Sequence, residues 1–573
     1  MGKFYDAIPA DLAEWIVKQE VFWVATAPLS AEGHVNISPK GLRGTFHVVN
    51  ENKVWYQDVT GSGSETIAHV RENGRITILF NAFEGPARIC RLFGKGRVHE
   101  FGTAEYDELI PISDRMPGSR AAVVIDVHKV GTSCGFGVPK YDFVAHRPLL
   151  VNMAHGLELK EQRFASAPDD ETKPTAHPGT SGAPKALKAY WATENTRSID
   201  GLPGFSTAYL SPAIPISGVP LESICVKADP DKRQRSDNVK TEGLVRSWSI
   251  LHTRDEMRLI LAFLLGVIVT ATPSPSTSLT KPFAVMGKFY DTIPPNLVDW
   301  VLEQEVFWVA TAPLSAEGHV NVSPKGLRGC FHIVNESRVW YQDLTGSGSE
   351  TIAHLKENGR ITILFSAFHG PPRIVRLSLN SPAHNQPTLH AGKVHEFGTA
   401  EYEELIPVAQ RIPGSRSAVV IDVHKIGTSC GYGVPLYDFV GHRPTLPTWL
   451  GGLEAKEQRF ASAIDKGSPA PGTSGAPGAL KAYWALKNTK SIDGLPAFST
   501  AYVTPTVPVA GVPVEVACAK AGPAKATMHA NTVADGAIRL RTLLRAREEA
   551  RLVVTLLLGI VIGTTYARML GAC

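Results

Sequence analysis

The chain repeats itself. MGKFYD opens at Met1 and again at Met286, an offset of 285 residues, and EVFWVATAPLSAEGHVN is identical at 20–36 and 305–321. VHEFGTAEY at 98–106 returns at 394–402, an offset of 296, and SIDGLP at 198–203 returns at 491–496. A period this long is that of a duplicated domain, since short-repeat solenoids have units of roughly 20–50 residues. The growth in offset, 296 less 285, places 11 extra residues in the second copy within Ser378–Ala391. That segment, SLNSPAHNQPTLHA, is polar and interrupts a strand-like run. It reads as a surface insertion or as an intron kept in the gene.

Each copy shows the same periodicities. Pro9-Ala-Asp11 starts an amphipathic helix to about Gln19, with Leu12, Trp15 and Ile16 on one face. Val21–Ala27 is an apolar run that predicts a buried strand. Further strands are expected at His34–Ser38, Thr45–Val49, Val54–Gln57, Arg75–Phe80, Arg88–Glu100 and Ala121–Val130, with turns at Ser30–Gly33 and Asn50–Lys53. Ser64 is placed to cap a helix running to about Glu72. Many short strands with few helices predict a mainly β fold of mostly antiparallel barrels. After about residue 135 the texture turns polar and Pro-rich, with one helical stretch at Leu187–Thr193.

The loop Thr60-Gly-Ser-Gly-Ser-Glu-Thr66 and its repeat from Thr345 carry the clearest chemistry. Hydroxyls, glycines and the N–H groups of a helix start together suit an anion such as a phosphate. No HxxxH pattern joins His34, His47, His69 and His99, so no metal site is expected. Seven cysteines lie scattered with no CxxC, which points to a reducing compartment. A net charge of +4, with no basic run interleaved with aromatics, argues against nucleic acid. MGKFYDAIPADL lacks an apolar signal core, so a cytoplasmic location is expected. Leu259–Ala271 and Leu552–Tyr566 are apolar but shorter than the roughly 20 residues of a spanning helix. The second, with basic residues upstream, reads as a marginal tail anchor through which the chain would associate with a membrane, or else as a helix packed on protein.

Residues 33–80, with Arg88-Ile-Cys-Arg-Leu-Phe-Gly-Lys-Gly-Arg-Val98 following, resemble the pyridoxamine 5′-phosphate oxidase-like family of FMN-binding split β-barrels. The features that match are the strand after Gly33, Val54-Trp-Tyr-Gln-Asp58, the Ser-containing loop into a short helix, and Glu72-Asn-Gly-Arg-Ile-Thr-Ile-Leu-Phe80. The resemblance covers about 5–135 and 290–431, and is closest to a branch with an SIDGLP-like segment. It implies split barrels that pair, with FMN in the cleft between two of them. Its phosphate would be held by Lys40, Arg43, Ser62, Ser64, Thr66 and Arg91 in the first copy, and by Lys325, Arg328, Ser347, Ser349, Thr351 and Arg376 in the second. Oxidases of the family that act on vitamin B6 place an Arg-Lys pair where this chain has Glu65-Thr66, which argues against that substrate.

The expected layout is a split barrel over 1–150 with an extension over 151–203, and a linker over 204–285 that contains the apolar helix 259–271. A second barrel over 286–446 has its extension over 447–496, then a linker over 497–550 and an apolar tail helix over 551–573. Both extensions are expected to be largely irregular. The expected activity is FMN-dependent oxidoreduction of an unidentified small molecule, with catalytic residues unassigned. The two copies would form an intramolecular pseudo-dimer, or the chain a homodimer. The rival reading is a non-catalytic flavin- or haem-binding module tethered to a membrane surface.

Overall fold

The structure, a computed structural model, describes residues 2–168, 175–207, 214–228, 287–379, 392–464, 476–500 and 507–518. The apolar segments 259–271 and 552–566 lie outside these residues. Among the described residues no helix is long and apolar enough to cross a membrane.

The molecule is mainly β with short helices. Its N-terminal half contributes β1 (Lys3–Tyr5), β2 (Val21–Thr26), β3 (Asn36–Gly41), β4 (Phe46–Asn50), β5 (Lys53–Val59), β6 (Arg75–Asn81), β7 (Ile89–Glu100), β8 (Ser119–Ser133) and β9 (Lys140–Ala145). Antiparallel pairing runs β3-β2-β6-β7-β8-β5-β4, with β1 added to β8. The C-terminal half contributes β10 (Gly287–Tyr290), β11 (Val306–Thr311), β12 (Asn321–Gly326), β13 (Phe331–Asn335), β14 (Arg338–Leu344), β15 (Ile361–Ser366), β16 (Ile374–Leu379), β17 (Lys393–Glu396), β18 (Ser415–Asp422), β19 (Lys425–Ser429) and β20 (Leu436–Gly441). Here the sheet is cut into β10-β19-β16-β15-β11-β12 and β13-β14-β18-β17. The long β7 of the first half corresponds to two strands, β16 and β17, that flank the extra residues. Of those, 380–391 lie outside the described residues.

The apolar run of β2 is buried along its whole length because both of its faces are covered. Side chains alternate across a strand. Phe22 and Val24 enter the barrel core with Val54, Tyr56, Ile78, Phe80 and Leu92, beneath Leu12 and Ile16 of the first helix. Val21, Trp23 and Ala25 point the other way and join Val306, Trp308 and Ala310 in a second core shared by the two halves. Trp23 stacks on Trp308 with ring centroids 4.4 Å apart. The contact is reciprocal, as expected of a two-fold interface. Arg75 donates to the carbonyls of Pro313 and Ser315, and Arg360 donates to those of Pro28 and Ser30. Thr77 donates to Val320, and Thr362 to Val35. β9 and β20, one from each half, form their own two-stranded sheet.

The extensions carry more helix than the single stretch expected near 187–193. Leu149–Ala165 and Thr445–Ile464 are helices, followed by Leu187–Glu194 and Leu480–Lys487. The buried face of Leu149–Ala165 mixes Val151, Ala154 and Leu157 with Glu158 and Glu161. Glu158 is fully buried against Arg115, 2.9 Å away, and also accepts from the N–H groups of Gly118 and Ser217. Carboxylates inside the apolar stripe hide the helical period from a hydrophobicity reading.

Candidate functional site

Two cavities, of about 240 and 350 Å³, lie between the halves and are built from corresponding residues. In the first, β3, β5 and the loop 60–66 of the N-terminal half face β10, β16 and β19 of the C-terminal half. In the second the roles are exchanged.

The floor of the first cavity rests on a bulge. Asp58 pairs with Ala121 but Val59 pairs with Ser119, so Arg120 is the extra residue on β8. A bulge re-aims the side chain it carries. The Arg120 guanidinium reaches Asp58 (Nε–Oδ2, 2.9 Å) and donates to the Gly63 carbonyl (Nη2–O, 2.8 Å). Lys40 Nζ lies 2.6 Å from the other Asp58 oxygen. Burial alone would push the Asp58 carboxyl up, but Arg120 and Lys40 outweigh it and hold it down at about 2. Arg120 is almost fully buried and lines the cavity, yet its Nη1 has no hydrogen-bond partner among the described residues. The second cavity repeats each feature. Arg416 is the bulged residue, paired with Asp343 (2.9 Å), which also holds Lys325 (2.6 Å), and Arg416 Nη1 is likewise unpartnered.

The loop is braced from the extension. Trp191 Nε1 donates to Thr60 Oγ1 at 2.8 Å, and Asn195 Nδ2 to the Gly61 carbonyl at 2.9 Å. Ser64 stands at the N-cap position, but its hydroxyl donates to the Arg197 carbonyl instead of capping the helix. The Glu65 carboxylate folds back over Gly63, where a Cβ on that glycine would meet Oε2 at 2.2 Å. Glu65 also lines the cavity and supports the charge of Arg376, which burial opposes. Around the first cavity four cations, Lys40, Arg120, Arg376 and Lys425, therefore face three carboxylates, Asp58, Glu65 and Glu194. The balance is positive, which suits an anion.

The structure sorts the residues expected at the site. Lys40, Ser62 and Thr66 line the first cavity, and Lys325, Ser347, Ser349 and Thr351 the second. Arg91 and Arg376 change places: Arg91 lines the second cavity and Arg376 the first. Each crosses to the other half, Arg91 donating to the Val322 carbonyl and Ser323 Oγ, and Arg376 to the Ile37 carbonyl and Ser38 Oγ. Arg43 and Arg328 line neither cavity and instead pair with Glu20 (2.5 Å) and Glu305 (2.6 Å). Ser64 does not line the first cavity, its hydroxyl being turned to Arg197.

Three groups at the site were not among those expected. Arg120 with Arg416 and Asp58 with Asp343 are charges set at the ends of apolar strands, and that isolation was the available signal. The third is His34, whose Nδ1 lies 2.5 Å from Asp200 Oδ1 and whose Nε2 lies 3.1 Å from His424 Nε2 of the other half. His319 repeats this with Asp493 and His128. Asp200 and Asp493 belong to the two SIDGLP segments, so that motif anchors the histidine at each cavity wall.

A family model described as pyridoxamine 5′-phosphate oxidase matches residues 8–134. The pyridoxamine 5′-phosphate oxidase family protein ustO of Aspergillus flavus is 37% identical over 221 residues, which is 38% of this chain and 80% of that protein. Among solved structures, HupZ of Group A Streptococcus is 24% identical, covering 22% of this chain and 91% of its own, with a TM-score of 0.18. An FAD-binding protein from Mesorhizobium loti is 12% identical, covering 23% of this chain and 97% of its own, with a TM-score of 0.17. On the match to a relative across four-fifths of that relative's length, the chain belongs to the pyridoxamine 5′-phosphate oxidase family.

Proposed function

We propose that the chain is a flavin-dependent oxidoreductase acting on a small molecule, with one FMN in each of the two cavities. The observation that carries this reading is the pair of buried guanidinium groups, Arg120 and Arg416, each at a cavity and with an N–H that has no partner among the described residues. A buried, unpaired N–H on a cation is costly unless a ligand accepts from it. Lys40 and Ser62, or Lys325 and Ser347, stand beside it to share a phosphate. A bound flavin would supply the redox chemistry. The chain's own part is to bind and orient it: the Asp58 and Asp343 carboxylates hold each Lys-Arg pair in place, and the walls from the opposite half cover the ligand. Glu65 and Glu350 lie on the cavity walls, and a carboxylate there disfavours a second phosphate. Pyridoxamine phosphate is therefore not the proposed substrate. Haem is less suited, because His34 and His319 each have both ring nitrogens engaged.

The test is titration of the purified full chain with FMN, followed by visible absorbance and calorimetry. Two FMN per chain are expected. Arg120→Ala with Arg416→Ala should weaken binding by roughly ten- to a hundredfold, the worth of a hydrogen bond to a charged group. A chain that stays colourless with excess FMN, or that takes up haem instead, overturns the proposal.

A further inference from the structure

The two cavities keep the same Lys-Arg floor but differ in residue at five corresponding positions. Where the first has Thr45, Val59, Glu194, Tyr432 and Ser378, the second has Cys330, Leu344, Lys487, Phe136 and Phe93, and Lys425 lines the first alone. Glu194 and Lys487 end corresponding helices, so the exchange reverses a charge at one point of the wall. Ser378 gives way to a phenyl ring at Phe93, and the Tyr432 ring returns at Phe136 without its hydroxyl. Phe93 is nearly buried and meets the His319 ring edge-on, with centroids 5.0 Å apart, so it is a fixed surface. The added ring of Phe93 and the added ammonium of Lys487 suit a flat aromatic ligand that bears an acid group. The Glu194 carboxylate and the Ser378 hydroxyl at the same positions disfavour that ligand.

We infer that the cavities have parted in substrate class: the one built on Lys325 takes a planar aromatic carboxylate, and the one built on Lys40 does not. The inference rests on the reading of both cavities as flavin sites, since the aromatic acid would lie beside the flavin. Its charge argument stands on the wall residues alone. Reversing one charge to its opposite a few ångströms from a ligand carboxylate changes affinity by about tenfold or more at the dielectric of a protein surface.

The probes are benzoate and its neutral counterpart benzamide, titrated by calorimetry into the full chain with and without FMN. With FMN, the flavin spectrum is followed as well. One benzoate per chain is expected, at least about tenfold tighter than benzamide. Lys487→Glu should abolish that preference, and Glu194→Lys should create a second benzoate site. Both positions are outside the core, so the variants test charge and not folding. Two benzoates per wild-type chain, no benzoate at all, or a Lys487→Glu chain that binds as the wild type would each overturn the inference. If FMN fails to bind while benzoate still titrates one site through Lys487, the flavin reading falls and the charge contrast survives. If FMN binds and benzoate does not discriminate, only the present inference falls.

Discussion

At the scale of single residues, the site depends on charges that are safe only together. Asp58→Asn would leave Lys40 and Arg120 without their shared carboxylate, and removing one partner of a buried pair costs on the order of 3–5 kcal/mol. Urea unfolding of this variant should show that loss, and Asp343→Asn the same. The carboxyl is held down at about 2, so its contribution is complete above the unfolded value near 3.9 and fades as pH falls toward 2. Histidines act earlier. Burial pushes His69 and His354 down to about 3, and burial with the nearby His34 pushes His424 to about 4. The unfolded chain takes these protons first, so stability should decline from about pH 6.5 down to pH 4–3. Thermal melts across that range check it, and a flat profile above pH 4 would refute it. Much of this chemistry could be read in advance. The loop hydroxyls and Lys40 stand out by type and spacing. Arg120 is marked only by its isolation at the end of an apolar strand, and its role comes from a one-residue bulge that strand register reveals.

At the scale of elements, two tight approaches set how closely the halves meet at the cavities. A Cβ on Gly41, in β3, would lie 2.2 Å from the Gly433 carbonyl, and one on Gly326, in β12, would lie 2.5 Å from that of Gly137. These contacts are with backbone, which cannot swing aside. Gly41→Ala should therefore cost about 1–3 kcal/mol and weaken ligand binding in the first cavity. Gly156→Ala is the contrast: it sits mid-helix with nothing near its Cβ and should stabilise by up to about 1 kcal/mol. Differential scanning calorimetry of both variants, expected to shift in opposite directions, checks the pair. Strands were legible because period-2 apolar runs survive wherever both faces are covered, as in β2. The helix Leu149–Ala165 was not, because Glu158 and Glu161 occupy its buried stripe and take their partners from segments far along the chain.

At the scale of the whole molecule, the halves satisfy each other. The shared core around Trp23 and Trp308, the crossed arginines and the β9–β20 pairing use the same surface twice. We therefore expect the chain to sediment as a single copy of 61.8 kDa. Trp23→Ala with Trp308→Ala, each worth about 3–5 kcal/mol of packing, should loosen both cavities at once and lower FMN affinity at both. Loss at one cavity alone would contradict a common core. The repeat predicts that two like halves exist, but it says nothing of which arginine serves which cavity. A strand's sequence carries no mark of a partner on the other half, so in sequence Arg91 and Arg376 read as serving their own copies.

That crossing has a genetic consequence. A lesion at codon 91 spares the pocket built on the loop of its own repeat and strikes the pocket built on the other, so a phenotype traced to one repeat can originate in the other. Two alleles, one damaged at Arg91 and one at Lys325, would strike the same pocket from opposite repeats, and mixing their products as intact chains would not restore it.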